Sequence, residues 1–115
     1  MLLVYKIDYY ERPNGKQPVV EWLDSLSLEN RTEIDAKIDT LREQGLVLLS
    51  TKMMRRIKNK DQDFYELRGG QCRIALYFNR GSNLFVLLHG FLKKRAVETR
   101  EIDRGRDLLH EYLST

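Results

Sequence analysis

The stretch DFYELRGGQCRIALYFNRGSNLFVLLHGF, residues 63–91, decides the fold, because it holds three strand-like runs separated by two short turns. Apolar, aromatic and β-branched residues dominate the runs, which predicts strands at about Asp63–Arg68, Cys72–Asn79 and Leu84–His89. Gly69-Gly70 is typical of a two-residue hairpin turn, because both central positions of a type I′ turn need positive φ. The tetrapeptide Arg80-Gly81-Ser82-Asn83 predicts the second turn.

The residues before this stretch predict one more strand and two helices. Leu2–Tyr10 is rich in strand-forming residues and predicts the first strand. Pro18 suits the first turn of a helix whose apolar residues recur at i, i+3, i+4 and i+7, namely Val19, Trp22, Leu23 and Leu26. A second helix begins at Ser27 or Asn30 and ends at Gly45, and its apolar stripe consists of Ile34, Ile38 and Leu41.

A last helix from about Thr99 to Leu113 completes the order β-α-α-β-β-β-α. That order predicts an α+β fold, in which the helical hairpin and the C-terminal helix pack on one face of a mostly antiparallel four-stranded sheet. The length of 115 residues predicts a single domain over residues 1–115. The single cysteine, Cys72, cannot form an internal disulfide, which fits a reducing cytoplasm. The longest apolar run, Leu84–Leu88, is far shorter than the roughly 20 residues that span a bilayer, so no membrane partner is expected.

The charge is distributed unevenly along the chain. The net charge is +3, but residues 1–51 carry −3, residues 52–106 carry +8 and the tail carries −2. A basic middle between acidic flanks favours one surface that faces a polyanion over a generally basic protein. Its densest segment has five cations and no acidic residue within nine positions: Lys52, Arg55, Arg56, Lys58 and Lys60.

The hairpin turn assigns each strand residue to a face of the sheet, because side chains alternate along a strand. With Arg68 opposite Gln71, the core face collects Tyr65, Leu67, Cys72, Ile74, Leu76 and Phe78. The other face collects Phe64, Glu66, Arg68, Gln71, Arg73, Ala75 and Tyr77. In this register Glu66 faces Arg73, and His89 points toward the core.

Two interpretations of the second face remain open. It is either an ordinary exposed sheet surface with a Glu66–Arg73 pair, or an RNA site in which Arg68 and Arg73 hold a phosphate beside aromatic rings. Three cations follow the last strand closely enough to reach the same sheet edge, which favours the RNA site: Lys93, Lys94 and Arg95.

Four pieces of the sequence, in this order, carry a family resemblance: Phe64-Tyr65-Glu66-Leu67-Arg68, Arg73-Ile74, Leu88-His89-Gly90-Phe91-Leu92-Lys93-Lys94 and Glu101-Ile102. Together they resemble the signature of the phage-derived HigB-like toxins of the RelE/ParE superfamily. The helical hairpin, the strand order and the length are similar as well, so the resemblance covers most of the chain. The chain departs where the family often starts its last helix with Thr-Pro, because Glu98-Thr99 stands there.

The resemblance implies the toxin of a toxin–antitoxin module, acting in the cytoplasm as a ribosome-dependent messenger-RNA endonuclease. It implies attack of a ribose 2′-OH on the adjacent phosphate without metal or cofactor, and restraint by a cognate helix-turn-helix antitoxin. Such chemistry needs cations near the phosphorane and groups that move protons. We therefore expect Arg68 and Arg73 to clamp the phosphate and Lys93 to transfer a proton, with Tyr77 as a further catalytic candidate. The remaining cations are expected to bind RNA or the ribosome: Lys52, Arg55, Arg56, Lys58, Lys60, Lys94 and Arg95.

Two other functions fit the same outline. A ParE-like toxin that inhibits DNA gyrase would share the fold, but it should lack two arginines and a lysine that converge on the sheet. A catalytically silent domain would use its basic surface only to bind RNA or an acidic antitoxin.

Overall fold

The computed structural model describes residues 5–60, 63–94 and 98–115. Within these ranges the chain forms, in order, β1 (Lys6–Tyr9), α1 (Pro18–Ser25), α2 (Leu28–Gln44), a 3₁₀ segment (Gly45–Ser50), β2 (Met54–Arg56), β3 (Phe64–Gly69), β4 (Cys72–Asn79), β5 (Leu84–Leu92) and α3 (Thr99–Leu113). The predicted α+β class is confirmed. The part of the predicted first strand before Tyr5 lies outside the described residues. None of the described helices combines the length and the apolar content that crossing a membrane requires.

The strands form one mixed sheet in the order β1-β5-β4-β3-β2. β1 runs parallel to β5, and the other neighbouring pairs are antiparallel. The described sheet has five strands rather than the predicted four, because β2 pairs with β3 at one edge. With three residues, β2 is too short to show the alternation that reveals a strand in a sequence.

The face that carries α1 and α2 contains the larger core. Apolar residues of both helices are buried there against the strand residues predicted for this face: Tyr65, Leu67, Cys72, Ile74, Leu76 and Phe78. Cys72 is fully buried, and burial raises the pKa of its thiol. The prediction that Cys72 is a small buried hydrophobe rather than a nucleophile therefore agrees with its position.

The ends of α2 follow the predicted signals. Of the two predicted starts, Ser27 is the cap, because its hydroxyl accepts a hydrogen bond from the backbone N–H of Asn30 at 3.2 Å. Gly45 ends the helix with a φ of 59°, a conformation that favours glycine.

The C-terminal helix α3 packs on the opposite face of the sheet, so the prediction that all helices share one face is wrong. Its residues Ile102, Leu108 and Leu109 are buried in a second core with Phe64 and Ala75. Gly105 lets α3 approach closely, because a Cβ added there would lie 2.8 Å from the Cβ of Ala75. At the far end of α3, the carboxylate of Glu111 accepts hydrogen bonds from Tyr10 at 2.8 Å and from both nitrogens of the Arg12 fork at 2.9 and 3.0 Å.

The β3–β4 register differs from the prediction, although each residue keeps its predicted face. Gly69 pairs with Cys72, so the turn residues are Gly70 and Gln71 rather than Gly69 and Gly70. Gly70 has a φ of 59°, and a glycine at the first central position is typical of a type II′ turn. As a result Arg73 lies opposite Arg68, and Glu66 lies opposite Ala75. The predicted Glu66–Arg73 pairing is therefore wrong, because Glu66 pairs with the residue two positions further along β4. A shift of two residues leaves every side chain on its predicted face.

Candidate functional site

Two arginines face each other at the end of the sheet that carries the β3–β4 turn. Arg68 of β3 pairs directly with Arg73 of β4, and Phe91 of β5 is the next residue in the same row. All three alternate in step with Ala75, which is buried in the core beneath α3. Arg68 and Arg73 thus share the α3 face of the sheet, as predicted.

A fully buried carboxylate lies between these arginines and the sheet edge. Glu66 has no exposed surface, and its Oε1 accepts hydrogen bonds from Arg55 Nε at 2.9 Å and from Arg68 Nε at 3.0 Å. Oε2 accepts a third from Arg55 Nη2 at 3.3 Å. The Nε of Arg73 lies 4.0 Å from Oε1. Three guanidinium groups around one carboxylate leave an excess of positive charge, which suits an anionic ligand.

Arg73 is the innermost of the three arginines. Its side chain is 8% exposed, against 38% for Arg68 and 42% for Arg55. Its Nη1 donates to the backbone carbonyls of Gly70 and Cys72, both at 2.9 Å, so the turn fixes the guanidinium. Its Nε is buried and has no hydrogen-bond partner among the described residues. A buried donor without an acceptor is costly, so its presence in a folded protein calls for an explanation such as a bound ligand or a functional role.

His89 lies on this face as well, which the sequence did not predict. A β-bulge in the β4–β5 ladder interrupts the alternation, so that Leu76 pairs with Leu87 and Ala75 pairs with His89. The extra residue, Leu88, reverses the side of the sheet on which every later residue falls. The prediction that His89 points toward the α1 and α2 core is therefore wrong.

The imidazole of His89 contacts both α3 and the ring of Phe91. Its Nε2 lies 3.3 Å from a carboxylate oxygen of Glu101 in the first turns of α3, and its ring stacks on Phe91 with centroids 5.8 Å apart. Burial lowers the pKa of His89, and the nearby Glu101 carboxylate acts in the opposite direction. The effect of burial is the larger one, so the pKa lies below its ordinary value and the imidazole is neutral near pH 7.

The two lysines after β5 lie at the same end of the sheet. The backbone N–H of Lys93 donates to the carbonyl of Gln71 at 2.7 Å, which places Lys93 two residues beyond the Arg73–Phe91 pair. Lys93 and Lys94 are both exposed. Arg95, which we predicted to bind RNA or the ribosome, lies outside the described residues.

Residues 21–110 match the model of the family described as phage-derived protein Gp49-like. This match covers well over half of the chain. The chain belongs to the Gp49-like family. The family resemblance predicted from the sequence motifs is thereby confirmed.

Solved structures with the same fold as this Gp49-like protein include two RelE–RelB assemblies. The RelE–RelB complex of the archaeon Pyrococcus horikoshii matches with a TM-score of 0.64 at 19% identity, over 82% of this chain and 100% of that chain. The toxin–antitoxin complex RelBE2 of Mycobacterium tuberculosis matches with a TM-score of 0.50 at 12% identity, over 81% and 95% of the two chains. No curated protein sequence matches the chain significantly.

The basic segment Lys52–Lys60 of the Gp49-like protein does not act as one surface. Arg55 belongs to the cluster around Glu66, whereas the exposed Arg56 lies over the ring of Tyr65, 5.8 Å from its centroid, on the other face. Arg106 of α3 donates to the carbonyl of Lys58 at 2.8 Å, which holds this segment against the helix. Four of the predicted contact residues are exposed: Lys52, Arg56, Lys58 and Lys60.

Tyr77 shares the face of the arginines but is not brought close to them. It follows Arg73 by four residues, about 13 Å along a strand, and its ring lies 6.0 Å from that of Tyr112 in α3. The structure therefore groups Arg68 and Arg73 with Glu66 and Arg55. His89 lies on the same face, where its ring stacks on Phe91, the residue that pairs with Arg73. The sequence predicted Arg55 as a contact for RNA or the ribosome and Glu66 as the partner of Arg73. The contact between Arg55 and Glu66 depends on β2, which was not predicted.

Proposed function

We propose that this Gp49-like protein is the toxin of a toxin–antitoxin module and that it cleaves messenger RNA on the ribosome. The observation that carries the proposal is the buried Nε of Arg73, which has no acceptor among the described residues. Arg73 lies opposite Arg68, and His89 lies on the same face, paired with Ala75 two residues further along β4. An RNA phosphate would supply that acceptor, because guanidinium groups bind phosphate through charge-assisted hydrogen bonds.

The residues of this face match the needs of transesterification. The ribose 2′-oxygen attacks the adjacent phosphorus, a 2′-O–P bond forms, and the P–O5′ bond breaks to leave a 2′,3′-cyclic phosphate and a free 5′-OH. Arg68 and Arg73 stabilise the additional negative charge on the phosphorane. The 2′-OH loses its proton to the neutral imidazole of His89, and the ammonium of Lys93 donates a proton to the leaving 5′-oxygen.

The partners follow from the same proposal. The structure from M. tuberculosis is a toxin–antitoxin complex, and we expect this chain to have a cognate antitoxin of the helix-turn-helix type. The proposed substrate places the protein in the cytoplasm, where ribosomes translate. The exposed cations outside the cluster bind ribosomal or messenger phosphates: Lys52, Arg56, Lys58, Lys60 and Lys94.

The central experiment adds purified protein to translating ribosomes and maps new messenger 5′ ends. Arg73→Ala should lower the cleavage rate by about 100-fold, as loss of a transition-state donor does. Arg80→Ala is the matched control and should cleave at the wild-type rate, because Arg80 lies in the turn at the other end of β4, paired with Asp63. An Arg73→Ala variant that cleaves normally would remove the arginine cluster from the mechanism.

The two histidines provide a second comparison. His89→Ala should slow cleavage and abolish the acidic limb of the pH–rate profile, whereas His110→Ala should do neither, because His110 is exposed on α3. Equal effects of the two substitutions would exclude His89 as the base.

The same preparation distinguishes the other two functions. Inhibition of gyrase supercoiling without any new messenger 5′ ends would identify a ParE-like toxin instead. RNA binding with neither activity would identify a silent binding domain.

A further inference from the structure

We infer that Arg55 is a positioning residue of the proposed active site, which acts through Glu66 to orient Arg68 and to keep Arg73 available for the phosphate. The inference rests on the proposed function. It separates Arg55 from the basic segment in which the sequence places it.

The first step is the geometry of the Arg55–Glu66 pair. Arg55 contacts both oxygens of the carboxylate, through Nε at 2.9 Å and Nη2 at 3.3 Å. Two contacts from one planar fork fix the orientation of both groups. Because Glu66 has no exposed surface, its charge must be compensated by protein groups rather than by water. Among the described residues, Arg55 supplies two of the three hydrogen bonds that do so.

The second step concerns Arg68. Its Nε donates to the same oxygen, Oε1, at 3.0 Å. Arg68 also lies directly opposite Arg73, and like charges in a cross-strand pair repel each other. A fixed Glu66 therefore holds the Arg68 guanidinium beside Arg73 against this repulsion, and Arg55 fixes Glu66.

The third step concerns Arg73. Its buried Nε is 4.0 Å from Glu66 Oε1, beyond hydrogen-bond distance. Without Arg55, Glu66 loses two donors and carries an undercompensated charge in a buried site. A small movement would then bring Glu66 onto the Nε of Arg73, and the donor proposed for the phosphate would be occupied. Arg55 prevents this by satisfying the carboxylate from the other side.

Arg56 is the natural contrast, because it follows Arg55 in β2 but points to the opposite face of the sheet. It is exposed and lies over the ring of Tyr65. Adjacent arginines of one strand thus have different expected roles, one in positioning the site and one in binding polyanions.

The kinetic test measures cleavage on ribosomes as a function of ribosome concentration. Arg55→Ala should lower kcat by about 10- to 100-fold, because small displacements of a clamp have effects of that size, with little change in the half-saturating concentration. Arg55→Lys should recover part of kcat, because an ammonium can contact one carboxylate oxygen but cannot form the fork.

Arg56→Ala should raise the half-saturating concentration instead. Arg42→Ala, which breaks an exposed pair with Asp39 on α2, should match the wild type. An Arg55→Ala variant with a raised half-saturating concentration and unchanged kcat would make Arg55 an ordinary RNA contact and overturn the inference.

A second measurement does not depend on cleavage. Titration with inorganic phosphate, followed by the arginine Nε–Hε signals in NMR spectra, reports on the cluster directly. Arg55→Ala and Arg55→Lys should shift the Arg68 signal and weaken phosphate binding at Arg73 by about tenfold or more, the effect of losing one charge-assisted hydrogen bond, while Arg42→Ala should do neither.

The two measurements separate the inference from the function on which it rests. A wild-type protein that cleaves nothing, but whose Arg55 variants bind phosphate more weakly as described, would refute the nuclease and retain the positioning role. Arg55→Lys keeps the positive charge, so wild-type kcat and wild-type phosphate binding in that variant would overturn the positioning role, whatever the fate of Arg55→Ala.

Discussion

The close approach of α3 to the sheet gives a quantitative prediction for Gly105→Ala. The added Cβ would lie 2.8 Å from the Cβ of Ala75 and 3.2 Å from Cζ of Phe64, whereas carbon atoms in contact are about 3.5–4.0 Å apart. The helix must therefore retreat by roughly 1 Å. Overpacking of this kind costs about 1–3 kcal/mol, and replacing a helical glycine by alanine returns about 1 kcal/mol. We expect a net loss of roughly 0–2 kcal/mol in the free energy of unfolding.

Urea denaturation followed by far-ultraviolet circular dichroism measures this change. Ala36→Gly at an exposed position of α2 calibrates the helix-propensity contribution. Ala75→Gly in the Gly105→Ala background removes the atom that is struck, so the two substitutions together should cost less than the sum of their separate effects. A Gly105→Ala variant could instead be more stable than the wild type by the whole difference in helix propensity between glycine and alanine, with no coupling to Ala75. That result would refute the close contact between α3 and the sheet at Gly105.

Three further outcomes are expected. Cys72 should react with a thiol reagent only as fast as the protein unfolds, because its thiol is fully buried with a raised pKa, and rapid labelling of the native protein would contradict the observed face. The hydrogen bonds from Arg12 and Tyr10 lower the pKa of Glu111 to about 2 from its ordinary 4.5, so the stability contributed by this carboxylate is present above pH 4.5 and is lost as the pH falls toward 2. Glu111→Gln should therefore flatten the acid limb of a stability–pH curve, and an unchanged acid limb would show that the carboxylate contributes nothing. On ribosomes, Arg56→Ala with Lys58→Ala should reduce the salt slope of binding by roughly one unit of log K per log salt for each phosphate that the variant no longer binds, while cleavage at saturation persists. An unchanged slope would make this segment an ordinary solvated surface.

The faces of β3 and β4 could be predicted from the sequence even though the turn was misplaced by one residue. Moving the turn from Gly69-Gly70 to Gly70-Gln71 shifts the pairing by two positions in total, and a shift of two leaves every side chain on its original side. Arg68 and Arg73 were therefore brought together correctly by alternation alone. Their partner Glu66 was assigned to the right face but to the wrong neighbour.

The missing parts of the site depend on features that alternation does not encode. Arg55 contacts Glu66 because β2 pairs with β3, and a three-residue edge strand leaves no periodic signal. His89 was misplaced because the bulge at Leu88 adds a residue that pairs with nothing in β4. The position of α3 on the far face was not predictable from its own apolar stripe, since such a stripe shows that a helix is buried but not on which side of a sheet.

The β5 bulge also has a consequence for how relatives of this chain are compared. Beyond Leu88, the side of the sheet that a residue occupies is set by a count of residues rather than by their chemistry. Deletion of one residue between 86 and 88 would leave the apolar run nearly unchanged, yet it would turn His89 and Phe91 toward α1 and α2 and bring Gly90 to the arginines. A relative with an identical His-Gly-Phe motif and a β5 shorter by one residue would therefore display a different set of groups on the α3 face. In this part of β5 the number of residues therefore decides which side chains reach each face.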